Sequence, residues 1–407
     1  MRIALVAHGR FHAFDYAREL CRLGHDTRLF TNYPVSYVER WGIPRRAVTT
    51  FRRHGAASRL VQRVTGLQVE RSEQALHEWF GRLAARALCG SSWDAVVCWS
   101  GVGEETFRSR AVSGLKICHR SSAHIRVQDQ LLESEQRRVG GHVARPTPWM
   151  IAREEREYAL ADRILVPSTF ARESFLAQGI DAERVSMVPL GVDGAMFRAP
   201  AEVVGERCRR ISAGGPLHVA YVGTLSAQKG AADLLEMARR LSPEGFQFHC
   251  TGAVAADALE VARHLRAVAT VEPAVRQADL PARYARADVF VFPTIQDGFG
   301  QVVTQALAAA VPVLCTTHCC GPDLVREGQT GWVLPPRRPD LFVERLRWCQ
   351  AHRADLASMV RTCHTRFAPR TWAESAAHLA AELSRVLQPA VAGTVDDSDS
   401  GHALPIG

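Results

Sequence analysis

Lysine is almost missing from this 407-residue chain: it occurs only at Lys116 and Lys229, and arginine supplies the rest of the 50 basic residues. The net charge of +8 is thus an arginine charge. Such a bias reflects genome composition more than a nucleic-acid-binding face, and no nucleic-acid partner is expected. No apolar run is long enough to span a bilayer. The opening run Arg2–Ala7 is far shorter than the apolar core of a secretory signal and reads as a first core strand. The 11 cysteines are an odd number without disulfide-scaffold spacing, which suits a reducing cytosol. Their densest group, Cys315, Cys319 and Cys320 with His318, lacks a C-x-x-C partner and reads as buried thiols rather than a zinc site. The turn after the first strand carries the single glycine Gly9, too few for a dinucleotide fingerprint. A D-x-D string occurs only at Asp397-Ser398-Asp399, in a patternless stretch, so no metal site is expected.

What is present is an alternation of short β-branched runs with amphipathic stretches, over a length that fits two domains. Arg2–Ala7, a turn, the helical pattern of Ala13–Leu23 and the run Asp26–Phe30 make a βαβ unit. Further strands are expected at Ala95–Trp99, Leu115–Cys118, Arg163–Val166 and Val185–Pro189, and charged helical spacing at Met150–Leu160. Leu217–Gly223 and the helix after Gly230 restate the opening pattern, and strands follow at Phe246–Cys250 and Val313–Cys315. Ala199–Gly215 is poorly patterned and reads as a loop. Pro339–Ala357 and Thr371–Leu387 have helical periodicity, and the chain beyond Gln388 reads as disordered.

The chain is organised around the stretch from Asp288 to Pro312. Asp288–Phe292 reads as a buried strand and Pro293–Gly300 as a glycine-bearing turn. Val302, Val303, Ala306, Leu307 and Ala310 then fall at helical spacing. Strand, turn and helix in succession aim free backbone N–H groups and the positive helix end at the carboxyl edge of the sheet, where an anion can sit. Asp297 in the turn and Gln305 in the helix are placed to face that cleft.

This stretch resembles the nucleotide-sugar signature of the retaining glycosyltransferases of family 4, in which two glutamates are separated by seven residues. Here the same spacing holds Asp297 and Gln305. The resemblance implies the GT-B fold, an α/β architecture of two doubly wound Rossmann-like domains facing a cleft. It also implies Asp297 on the donor sugar and Gln305 on the nucleotide ribose, with Gly298, Phe299, Gly300 and Gln301 lining the donor site. The loop Gly223-Thr224 to Lys229-Gly230 resembles the family's phosphate-binding loop, with Thr224 where arginine is frequent. Lys229 would then neutralise the donor's phosphates alone or with an arginine from elsewhere. Gly9 and His12 stand at the carboxyl end of the first strand, near phosphates or acceptor. In His119-Arg120-Ser121-Ser122-Ala123-His124 a histidine is implied near the reacting centre, His124 ahead of His119, with Arg120 on phosphate or acceptor. A satisfied structural histidine is the alternative for either.

The expected domains are 1–190 on the acceptor side, 191–370 for the nucleotide sugar, a helix 371–387 crossing back, and a tail 388–407. The interdomain crossing falls at Leu190–Asp193, with Gly191 as its flexible point. The implied reaction moves a sugar from a nucleoside diphosphate to a glycan, lipid-linked or small-molecule acceptor, with retention, without metal or other cofactor, as in bacterial glycan biosynthesis. Rival readings are a non-catalytic nucleotide-sugar-binding or partner-binding protein and a sugar-nucleotide epimerase of related fold. Arg45, Arg46, Arg52, Arg53, Arg59 and Arg63, mixed with Phe51, Leu60 and Val61, read either as a face for an anionic membrane surface or as a solvated loop and helix. The expected location is cytoplasmic, with or without peripheral contact at the inner membrane face.

Overall fold

The computed structural model describes residues 1–64 and 69–388. The tail with Asp397-Ser398-Asp399 and the side chain of Arg63 lie outside the described residues. The first sheet is built from β1 (Arg2–Ala7), β2 (Asp26–Thr31), β3 (Val48–Thr50), β4 (Ala95–Trp99), β5 (Leu115–His119), β6 (Arg163–Val166) and β7 (Val185–Met187). The second holds β8 (Leu217–Val222), β9 (Phe246–Thr251), β10 (Thr270–Glu272), β11 (Val289–Phe292), β12 (Val313–Thr316) and β13 (Gly331–Leu334). Neighbouring strands run parallel in both sheets. Helices therefore cover both faces, and both faces are apolar. In β1, Ile3, Leu5 and Ala7 enter one core while Ala4 and Val6 enter the other, the two-residue alternation of a pleated strand.

The strand orders are β3-β2-β1-β4-β5-β6-β7 and β10-β9-β8-β11-β12-β13. Order reverses between β1 and β4 and between β8 and β11, and beyond the carboxyl ends of such strand pairs a crevice opens. The chain crosses between the sheets at Leu190–Val192 and returns at Arg370–Trp372. The two crossings lie side by side, with Val192 N donating to Arg370 O at 2.9 Å. Gly191 is fixed by this approach, since a Cβ there would stand 2.5 Å from the Trp372 backbone. The helix Trp372–Leu387, opened by a Thr371–Glu374 capping box, packs against the Ala13–Arg22 helix of the first sheet. There Ser375 Oγ donates to Pro189 O at 2.7 Å and lies 3.0 Å from Tyr16 Oη.

Two local expectations change. Ala201–Ser212 is a helix, not a loop, and buries Val204, Arg207 and Ile211; a charged residue in mid-stripe hides that spacing. Arg207 bonds Ala309 O and Ala310 O at 2.9 and 2.7 Å and Tyr284 O at 2.8 Å. It thereby satisfies carbonyls at the end of the helix Gln301–Ala308. That helix stops short of Ala310, which takes a φ of +57° as the chain turns into β12.

Candidate active site

The loop after β11 is held on every side. Asp297 N donates to His318 O at 2.8 Å, and Asp297 Oδ1 accepts Phe299 N at 3.2 Å. Gly298 lies so close to the first domain that a Cβ would stand 2.0 Å from Ser121 O. Its carbonyl accepts Ser168 Oγ at 2.5 Å, and Gln296 Oε1 accepts Ser122 Oγ at 3.0 Å. Gly300, at φ +78°, caps the helix Gln301–Ala308 against the Phe292 ring. A side chain at Gly298 would push the two sheets apart.

The loop after β8 meets this one. Gly230, at φ +75°, packs where a Cβ would fall 1.9 Å from Pro293 O, so glycine is required after Lys229. Gln228 O accepts Ile295 N at 2.9 Å and Thr294 Oγ1 at 3.1 Å. The result places Lys229 Nζ 2.6 Å from Asp297 Oδ2, both side chains about four-fifths buried. At that distance the two opposite charges largely offset each other. Gln301 donates its amide to Gly191 O at 2.7 Å, linking the helix start to the crossing. Gln305 is 5% exposed and its Oε1 accepts Tyr284 Oη at 3.0 Å. Its NH₂ is the group left for a ligand.

A cavity of about 310 Å³ opens among Arg10, Gly223, Lys229, Asp297, Gln301 and Gln305. A wider one of about 780 Å³ shares Arg10, Gln277 and Gln301 with it and extends along His12, Trp41 and Trp372 toward the crossings. The first sheet contributes the loop after β1. Gly9 N is tied to Asn32 Oδ1 at 3.1 Å, Phe11 is held at φ +38°, and the Arg10 guanidinium lies 4.2 Å over the Trp41 ring. His12 stacks beside Trp372 at 5.9 Å. Burial lowers its pKa to about 4, against the upward pull of Asp297 and with the help of Arg10. His119 stacks on Trp99 at 4.5 Å and is lowered to about 3 by burial and by His12. Both imidazoles are neutral near pH 7 and within electrostatic reach of each other.

Other expected site residues are placed differently. His124 caps the helix Ile125–Val139, its Nδ1 accepting Arg126 N at 3.2 Å, and its ring packs 5.0 Å from both Tyr158 and Phe175. It does not line either cavity. Arg120 spends its donors inside the first domain, on Glu154 at 2.9 Å, Gln128 at 2.6 Å, Ser100 at 3.2 Å and Ala123 O at 3.1 Å. Thr224 is exposed and its carbonyl accepts Tyr221 Oη at 2.9 Å. Phe299 is buried, a support for the loop. After β4, the amides of Gly101, Gly103 and Glu104 are taken by the buried Glu157 carboxylate at 2.6, 2.8 and 3.1 Å. The Glu157 carboxyl thus occupies the turn Gly101–Glu104 from within the first sheet's own layer. Among the described residues no group of three His, Cys, Asp or Glu is placed to hold a metal ion, and Cys315, Cys319 and Cys320 are buried.

Sequence reasoning missed Arg10, Trp41 and Tyr284. Arg10 stands between the flagged Gly9 and His12, and its neighbourhood was the available signal. Tyr284 reaches Gln305 from a short separate helix, Leu280–Ala285, and nothing local announces it.

Two family models match: Glycosyltransferase Family 4 over residues 10–195 and Glycosyl transferases group 1 over residues 216–352. A D-inositol 3-phosphate glycosyltransferase of Geodermatophilus obscurus is 29% identical over 262 residues, 60% of this chain and 58% of that protein. A GDP-mannose-dependent alpha-mannosyltransferase of Mycobacterium tuberculosis is 35% identical over 211 residues, 48% of this chain and 52% of that protein. The chain thus matches little more than half the length of these curated relatives. Among solved structures, sucrose-phosphate synthase from Thermosynechococcus elongatus superposes with a TM-score of 0.69 at 17% identity, covering 94% of this chain and 98% of that one. Anabaena HepE in complex with UDP superposes with a TM-score of 0.65 at 14% identity, covering 95% and 100%. These likenesses establish the two-domain GT-B fold.

Proposed function

The chain belongs to the family 4, group 1 glycosyltransferases, and from that premise we propose that it transfers a sugar from a nucleoside diphosphate to an acceptor. The observation that carries the reading is the cavity at the strand reversal of the second sheet, where Lys229, Asp297 and Gln305 meet the amino end of the helix after Gly300. Each group has a task there. Lys229 and the helix end offset charge on the leaving diphosphate. Asp297 accepts from a donor-sugar hydroxyl, and the Gln305 NH₂ donates to the ribose. His12, neutral and near Asp297, is our choice over His124 for the histidine that faces the sugar. The wider cavity alongside gives an acceptor room to approach the same centre.

Retention at the anomeric carbon and independence of metal are part of the proposal, the latter because protein cations take the role a divalent ion would have. No helix among the described residues is long and apolar enough to cross a membrane. The exposed Arg45, Arg46, Arg52, Arg53 and Arg59 with Leu60 at 63% exposure support peripheral contact with an anionic surface, at the inner membrane face of the cytoplasm. Sedimentation with vesicles with and without phosphatidylserine tests that contact, and equal recovery in both supernatants removes it.

The function is tested by incubating the protein with a panel of nucleoside diphosphate sugars and mixed glycan, polyol and lipid acceptors, following release of the nucleoside diphosphate. Acceptor-dependent release from one donor is expected. Tight donor binding without release across the panel would favour a non-catalytic member of the family, and an isomerised donor formed without acceptor would favour an epimerase.

A further inference from the structure

Among the described residues, Lys229 is the sole cation that the second sheet offers to the donor cavity, and Asp297 already holds it at 2.6 Å. A diphosphate carries about two negative charges near neutral pH, so a Lys–Asp pair of near-zero net charge is a poor counterpart for it. The remaining cation lining that cavity comes from the other sheet. Arg10 forms no ion pair among the described residues, and its guanidinium is laid over Trp41 at 4.2 Å. The loop that carries it is fixed by the Gly9–Asn32 hydrogen bond and by the left-handed turn at Phe11. An exposed arginine that makes no close ion pair among the described residues and acts on Asp15 only at longer range, aimed by an aromatic face and a constrained loop, is a prepared anion contact and not a wandering surface charge.

We propose that Arg10 is the second cation on the donor's diphosphate, delivered across the cleft from the first sheet, so that the diphosphate is gripped from both domains at once. This rests on the reading of the cavity as a nucleoside diphosphate site and adds to Lys229 a second cation for the phosphates. It follows that the diphosphate half of the donor is bound more tightly when the two domains face each other, whereas the nucleoside half does not depend on Arg10. Trp41 is then a positioning residue: it touches Arg10 and not the ligand.

Calorimetric titration with UDP, GDP and ADP, each beside its nucleoside, supplies the test. With the base that binds, Arg10→Gln should weaken the diphosphate roughly ten- to a hundredfold and leave the nucleoside within about twofold, while Arg10→Lys keeps much of the affinity. Trp41→Leu should weaken the diphosphate by less than Arg10→Gln and again spare the nucleoside. In the wild type, raising salt should weaken the diphosphate more steeply than the nucleoside. Equal loss of both ligands in Arg10→Gln, or no loss of either, overturns the assignment. A wild type that binds none of the three diphosphates overturns instead the proposed function on which it rests.

Discussion

Replacing Gln305 by leucine separates two consequences that the structure ties to one amide. Its Oε1 accepts the buried Tyr284 hydroxyl at 3.0 Å, and the alternative acceptor, Val302 O, lies at 3.4 Å. Leucine removes the first bond and leaves Tyr284 to the longer one, at a cost of about 1–3 kcal/mol in folding free energy for a buried hydroxyl poorly paired. For a domain of this size that lowers the melting temperature by a few degrees, at about 2–4 °C per kcal/mol. It also removes the NH₂ proposed to donate to the ribose, weakening donor binding by about 1–3 kcal/mol, or one to two decades. Gln305→Glu keeps an acceptor for Tyr284 and offers carboxylate oxygens to the ribose hydroxyls, so affinity should change by less than about 1 kcal/mol. Tyr284→Phe removes only the internal bond: it should cost stability and spare donor affinity. Thermal melts and titration with the cognate nucleoside diphosphate, beside its 2′-deoxy analogue, read both effects. If Gln305→Leu binds the ribose ligand as tightly as wild type, the ribose contact is wrong; if it melts unchanged, the Tyr284 bond carries no stability.

Gly298→Ala places a Cβ against Ser121 O and should hold the sheets apart, lowering turnover at least tenfold with nucleoside affinity preserved; unchanged turnover would show that the loop yields. Transfer should survive EDTA, because Lys229, Arg10 and the helix end supply the positive charge; loss on chelation that manganese restores would contradict this. Stability should fall as pH drops from about 6.5 toward 4, since burial lowers His8, His12, His77, His119 and His124 and the unfolded chain therefore binds more protons across that window. Glu157, raised by burial to about 8, Asp233, raised to about 6, and Asp15, also raised by burial, act in the opposite sense but are outnumbered. Flat melting temperatures between pH 7 and 5 would refute the account of buried neutral imidazoles.

The strand-turn-helix unit around Asp297 was legible because β-branched runs, glycine and apolar helical spacing coincide there. So was the Lys229-Gly230 turn, whose glycine is imposed by Pro293. The shortfalls share a cause: contacts between segments distant in sequence. Arg207 looks like a surface residue until the carbonyls of Ala309 and Ala310 arrive from about a hundred residues away. His124 resembles a site histidine by its position after β5, yet cap geometry and the rings of Tyr158 and Phe175 claim it. Arg120 likewise finds Glu154 only after the helix Pro148–Leu160 packs across β5. Gly101-x-Gly103 gives no hint that a carboxylate of its own chain fills it.

The central claim is that the cleft of the second sheet binds a nucleoside diphosphate through Lys229. Titrating wild type and Lys229→Ala with the cognate diphosphate and its nucleoside tests it most directly. A charge-assisted hydrogen bond is worth about 1.5–3 kcal/mol, so the variant should bind the diphosphate one to two decades more weakly and the nucleoside nearly as before. Equal binding of the diphosphate by both proteins, or an equal loss of the two ligands, would contradict it.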